Sequence, residues 1–158
     1  DLSKVTSTIN MFNSCYSLVS VSLDMSNVTD AGLMFSACSS LVSVSLSNTS
    51  KVAQANTMFY KCISLAGLSL DARSISNTSV MLSNCYSLIH IYLKNVMSSF
   101  ELNSSPLLSK ESLLYLINNE AATSAITIKL ASYAFTRLAE DADVVAALAA
   151  HPNISIAQ

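Results

Sequence analysis

Four cysteines and two histidines are the residues of this chain whose types invite chemistry. Cys15, Cys38, Cys62 and Cys85 follow one another at 23, 24 and 23 residues. Four thiols suggest zinc or disulfides, but zinc needs ligands converging on one point, and evenly spaced single cysteines form a line instead. If successive units stack about 4.8 Å apart, neighbouring cysteines fall within the Cα range of a disulfide. Equivalent stacked residues, however, point their Cβ atoms in parallel, which disfavours bridging. The expected role of all four is a buried structural ladder with no metal and no cofactor, since free cysteine is among the most buried residue types. His90 and His151 lack the partners a Ser-His-Asp or Cys-His site requires. Glu140, Asp141 and Asp143 fit helix-start charges better than an acid/base pair. There is no G-x-x-x-x-G-K phosphate loop, and the chain holds only two glycines. The expectation is a protein that is not an enzyme.

The cysteines are placed by a repeated phrase: MFNSCYSLVSVSL from Met11, MFSACSSLVSVSL from Met34, MFYKCISLAGLSL from Met58 and MLSNCYSLIHIYL from Met81. A period of this length marks a solenoid, in which each repeat is one supersecondary unit stacked on the next. Val5, Val28, Val52 and Ile75 open the units. Methionine, then phenylalanine or leucine, then cysteine follow at offsets of 6, 7 and 10. Those offsets share one helical face, so the spacing predicts a short helix or helical turn with that face inward. The L-x-x-[VLI]-x-L phrase that comes next, as in Leu18-Val21-Leu23 and Leu88-Ile91-Leu93, ends in strand alternation.

The fold class expected is therefore α/β: a parallel sheet on a concave side, short helices or helical turns on a convex side. Outward strand positions read Ser20-Ser22-Asp24, Ser43-Ser45-Ser47, Gly67-Ser69-Asp71 and His90-Tyr92-Lys94. The fourth row is large and mixed where the others are small. His90, Tyr92 and Lys94, with Asp71 and Ser69 beside them, are the candidate partner-binding residues. Tyr16, Tyr60 and Tyr86 lie near the convex turns and offer a different face.

The phrase breaks after Leu93. A short extended segment is expected around Phe100–Leu102, then a helix capped by Ser109 through KESLLYLINNE. AITIKL alternates as a strand, and helices follow over about 132–139 and 142–150, the second capped by Asp141 and stopped near Pro152. Ile154-Ser-Ile156 reads as a last strand. Residues 1–103 are then four repeats and a partial one. Residues 104–158 are a capping unit of the same solenoid, whose strands carry the sheet onward and close it. The opening DLSKVTSTINMF is already repeat text, so Asp1 reads as a cut made by processing or cloning, with more repeats once upstream.

The MF-x-x-C-x-SL-x-x-[VLI]-x-L phrase, with SNVT at Ser26 as lead-in, resembles the leucine-rich repeat family and its BspA-like bacterial surface-antigen subclass over about residues 1–93. The asparagine that many such repeats carry after the last strand leucine is here Ser26, Thr49, Arg73 and Val96, so no asparagine ladder is expected. LLSKESLLYLINN and DADVVAALAAHPN resemble C-terminal segments of BspA-like proteins from gut Bacteroidetes and their prophages. The resemblance implies a non-catalytic extracellular recognition or adhesion module binding a protein or glycan partner. It leaves two alternatives, a structural or receptor-binding part of a phage-like particle and an accessory domain of an upstream enzyme. Composition agrees with a surface protein. Charged residues are only 11% of the 158, against about 25% in typical domains, so serine, asparagine and threonine supply the polar surface. A net charge of −2 gives no footprint for nucleic acid, and no run of 18 apolar residues exists to span a membrane. The expected location is the cell surface or outside it, with the virion as the alternative.

Overall fold

The computed structural model describes residues 2–123 and 125–158. Asp1, read above as a cut, lies outside them. The fold is mixed α/β, built of short parallel strands and a few helices.

Each repeat contributes one strand: β1 (Ser20–Asp24), β2 (Ser43–Ser47), β3 (Gly67–Asp71) and β4 (His90–Lys94). They fall where the L-x-x-[VLI]-x-L phrase places them. β1 pairs with β2 and β3 with β4, in parallel, joining repeat-equivalent residues such as Val21 to Val44 and Leu68 to Ile91. A second row of parallel contacts, Ser7 to Asp30 to Gln54 to Asn77, links the same units on another side.

The Met-Phe-x-x-Cys segment is not a helix. It is a run of overlapping four-residue turns, in which Met11 N–H reaches Thr8 O, Asn13 reaches Asn10 and Cys15 reaches Phe12 at 3.1 Å each. The alternate N–H groups point out of the unit. Asn10, Phe12 and Ser14 donate to Gly32, Met34 and Ser36 of the next repeat at 3.2, 2.9 and 2.7 Å. The same alternation recurs from the second repeat to the third and from the third to the fourth. A helix would consume every N–H within itself, four residues back. Here half of them are needed to bond the neighbouring unit, and that excludes the helix. The sequence period still chose the right face, because Met34, Phe35 and Cys38 and their counterparts Met58, Phe59 and Cys62 are buried. Phe12, Phe35 and Phe59 stack with ring centroids 5.4 Å apart and nearly parallel planes. Such pairs add about 0.5–1.5 kcal/mol each beyond burial.

The turns require left-handed residues, and glycine supplies none of them. Asn10, Leu33, Thr57 and Val80 have φ near 60° at one equivalent position, and Ser14, Ala37, Lys61 and Asn84 at another. Asparagine tolerates this region; β-branched valine does so only under strain.

Between β2 and β3 the ladder is interrupted. Asn48 turns left-handed and a 3₁₀ turn spans Thr49–Lys51. The buried Thr49 hydroxyl then takes the place of a strand partner, accepting from Asp71 N at 2.8 Å and donating to Asp71 O at 3.3 Å.

Helix α1 (Lys110–Asn118) closes the outer edge of β4. Ser109 caps it, as the sequence predicts, with its side chain accepting from Ser112 N. The buried Ser112 hydroxyl accepts from Ile91 N at 3.0 Å and donates to Ile89 O at 3.3 Å, so a side chain satisfies the strand groups that a further strand would have used. At the far end, Asn119 O accepts from Asn95 N at 2.7 Å. This differs from the sequence reading, in which strands carry this sheet onward. The later strands β5 (Phe100–Leu102), β6 (Ile126–Leu130) and β7 (Ile154–Ala157) form their own parallel sheet. β5 sits on the side of the second contact row, where Thr78 Oγ1 donates to Ser99 O at 2.8 Å. Helices α2 (Ser132–Leu138) and α3 (Ala142–Ala150) connect β6 to β7. One cluster of buried apolar residues runs from Met25 to Ile154 through both regions. Among the described residues, no helix is long and apolar enough to cross a membrane.

Two substitutions test this account by urea unfolding. Ser112→Ala strands Ile91 N–H at a buried edge, while Ile89 C=O keeps its bond from Ser109 N–H at 2.9 Å, and is expected to cost roughly 1–3 kcal/mol; an unchanged midpoint would show that α1 does not cap β4 through that hydroxyl. Val80→Asn places at the exposed fourth-unit position the residue found at Asn10, and is expected to stabilise by about 1 kcal/mol.

Candidate functional site

Strand alternation turns Ser69, Asp71, His90, Tyr92 and Lys94 to one face. Register sets Gly67 opposite His90, Ser69 opposite Tyr92 and Asp71 opposite Lys94. The sequence-derived candidates are therefore brought together on adjacent strands. His90 and Tyr92 lie with ring centroids 6.3 Å apart and planes nearly parallel.

Three neighbours join them that the sequence reading did not single out. α1 runs along β4 and brings Tyr115 into a T-shaped contact with Tyr92, with centroids 5.1 Å apart at 80°. Arg73, just past the end of β3, grips Asp71 through Nε at 3.1 Å to both carboxylate oxygens and through a terminal nitrogen at 2.7 Å. Asn95 donates to the same carboxylate at 3.0 Å, and Lys94 Nζ stands 3.8 Å from it. Burial pushes the Asp71 carboxyl up, but the bonds from Arg73 and Asn95 outweigh it and hold the group below the usual carboxylate range. The bond to Asp71 likewise raises Arg73 above its ordinary value.

Together these residues shape an open depression of about 410 Å³. Its size lies within the range of roughly 300–1,000 Å³ typical of small-ligand clefts. Ser69, Asp71 and Lys94 line one part; Asn48, Thr49 and Ser50, from the interruption between β2 and β3, line another; Arg73 and Tyr115 complete it. His90 and Tyr92 lie beside the depression on the same face, and through the Tyr92 contact they support the Tyr115 ring.

The cysteines occupy two environments. Cys38, Cys62 and Cys85 are buried, and each Sγ donates to the phenylalanine carbonyl of the preceding unit: Phe12 at 3.0 Å, Phe35 at 3.1 Å and Phe59 at 3.2 Å. Burial pushes the Cys85 thiol up to about 12, and Cys62 higher still. Cys15 departs from the expected ladder and is exposed. Each buried thiol is covered by the unit before it. All four are free thiols, and among the described residues no group of three or more His, Cys, Asp and Glu is arranged to hold a metal ion.

His151 stands apart from this face, with Nδ1 3.8 Å from Glu120 Oε1. Asp141 caps α3 and, with Asp143, receives Lys110 of α1 at 3.3 and 2.8 Å. On the turn side, Tyr16, Ile63 and Tyr86, each directly after a repeat cysteine, form a separate exposed row.

Residues 1–95 match the family described as "Mycoplasma protein of unknown function, DUF285". The chain belongs to this family. No curated protein and no solved structure matches it. The DUF285 region ends one residue beyond β4 and covers all four repeats. Asp71, Arg73, His90, Tyr92 and Lys94 thus fall inside it, whereas Tyr115 and the capping helix lie beyond.

Thiol labelling of the native protein is expected to modify Cys15 quickly and the other three only on unfolding. Labelling of all four at equal rates without denaturant would contradict the covered positions of Cys38, Cys62 and Cys85.

Proposed function

We propose that this chain is a non-catalytic recognition module, an extracellular leucine-rich repeat solenoid of the BspA-like type, whose partner seats on the face formed by β3, β4 and α1. The observation that carries the reading is the convergence of Ser69, Asp71, Lys94, Arg73 and Tyr115 in one open, mostly polar depression, with His90 and Tyr92 beside it. Such a surface suits the reversible capture of a ligand. It is built on strands locked by pairing and on a helix pinned to a strand edge, so its side chains are positioned before a partner arrives. That preorganisation lowers the ordering cost of binding. The contrast between three small rows and a large fourth one also favours this end of the strand row, because β1 and β2 present only serines and Asp24.

The experiment is a binding screen of the labelled chain on arrays of glycans and of extracellular matrix proteins, with His90→Ala/Tyr92→Ala alongside. Saturable binding to at least one arrayed ligand is expected, weakened about tenfold or more in the double variant. The double variant should keep a cooperative thermal transition and lose no more than about 0.5–1.5 kcal/mol for the Tyr92–Tyr115 pair it removes. No saturable binding, or equal binding by the double variant, would overturn the assignment.

A further inference from the structure

We propose that the depression between β3, β4 and α1 binds the carboxylated end of an acidic glycan, a six-carbon sugar acid. This rests on the strand-face reading above and narrows its ligand. Charge is the first argument. The depression holds two cations, Arg73 and Lys94, whose side chains are 56% and 53% exposed, and a single carboxylate, Asp71, at 12%. Asp71 is already occupied by Arg73 and Asn95. The site therefore carries a net positive charge within a chain whose total is −2. Lys94 is the cation with donors to spare: its Nζ is 3.8 Å from Asp71, beyond normal hydrogen-bond reach.

Hydroxyl chemistry is the second argument. Ser50 and Ser69 stand in the wall at separate points, on the interruption after β2 and on β3. They match a ligand with several hydroxyls around a ring better than one with a single polar end. Ring stacking is the third. Tyr115 is held by its T-shaped contact with Tyr92 and lines the depression, where its ring can receive the C–H side of a pyranose. Other ligand classes fit less well. A protein anchor residue seeks a desolvated apolar pocket, whereas this depression is lined mainly by polar groups. Nucleic acid needs many phosphate contacts for affinity, and two cations beside a carboxylate do not provide them.

Calorimetric titration of the full chain, with NMR mapping, tests the assignment using three probes. They are a tetrasaccharide ending in glucuronic acid, the same tetrasaccharide with that carboxylate reduced to the alcohol, and a hexaglutamate peptide. The acidic sugar is expected to bind saturably with shifts at Ser69, Lys94 and Tyr115, and the reduced sugar about tenfold or more weakly. Lys94→Gln and Tyr115→Ala should each weaken binding about fivefold or more without loss of the thermal transition. Raising salt from about 50 to about 300 mM should lower the affinity. Equal binding of the reduced sugar, tighter binding of hexaglutamate, or no shift at those residues at about 10 mM sugar would overturn the proposal. If it fails while the His90/Tyr92 double variant still loses its arrayed partner, the ligand class falls and the strand-face reading stands. If neither arm shows binding, both fall.

Discussion

Backbone hydrogen bonds between units carry the architecture, and their geometry decides much of the rest. In the turn segments every second N–H leaves its own unit for the next one, from Asn10, Phe12 and Ser14 to Gly32, Met34 and Ser36 and onward. That demand forces the overlapping turns, which in turn require left-handed backbone at two positions in each unit. It also fixes the stacking of equivalent side chains, so that Phe12, Phe35 and Phe59 lie face to face and each buried cysteine reaches the carbonyl of the unit before it. The strands are one row of this pattern, and the exposed face inherits its register from them.

A repeating design needs an end, and here the end is also part of the candidate site. α1 meets the β4 edge with the Ser112 hydroxyl where a further strand would bring backbone groups. The same placement stands Tyr115 against Tyr92. The closure of the strand row and the wall of the depression are thus one packing event. The interruption before β3 plays a similar double part. Thr49 replaces a strand partner for Asp71, and Ser50, next to it, lines the depression.

Much of this was legible in the sequence because period and alternation report directly on stacking. The four strands, the caps at Ser109 and Asp141, and the grouping of Ser69, Asp71, His90, Tyr92 and Lys94 all follow from spacing. A short helix or helical turn was expected at Met-Phe-x-x-Cys; turns stand there with the expected face inward and the helix does not, because offsets of 6, 7 and 10 report which side chains face inward, not how the backbone reaches them. Cys15 failed because burial in a stack depends on the neighbour, which a pattern within one unit does not contain. Two further signals were present and unused. Asp24 and Asn48 recur as Asp71 and Asn95, 47 residues on, and each asparagine side chain bonds the aspartate of its pair. This doubled period matches the division of the strands into two pairs. Phe100, Ile128 and Ile156 are 28 residues apart and stand side by side in the last sheet, so the tail has a repeat of its own. Arg73 and Tyr115 were not recoverable from periodicity, since one lies past a strand end and the other on a helix whose docking only the fold defines.

The position of the capping helix in the chain has a consequence for biosynthesis. β4 is translated before α1, and about two dozen residues separate the end of the strand from the end of the helix. At about 5–20 residues per second, the ribosome needs roughly one to five seconds to supply them. The nascent protein therefore holds Ile89 C=O and Ile91 N–H open on its growing end while the helix is still being made. In a polysome, where many copies of that end sit close together, the seconds before Ser109 and Ser112 arrive are when neighbouring chains compete with them for the same two groups.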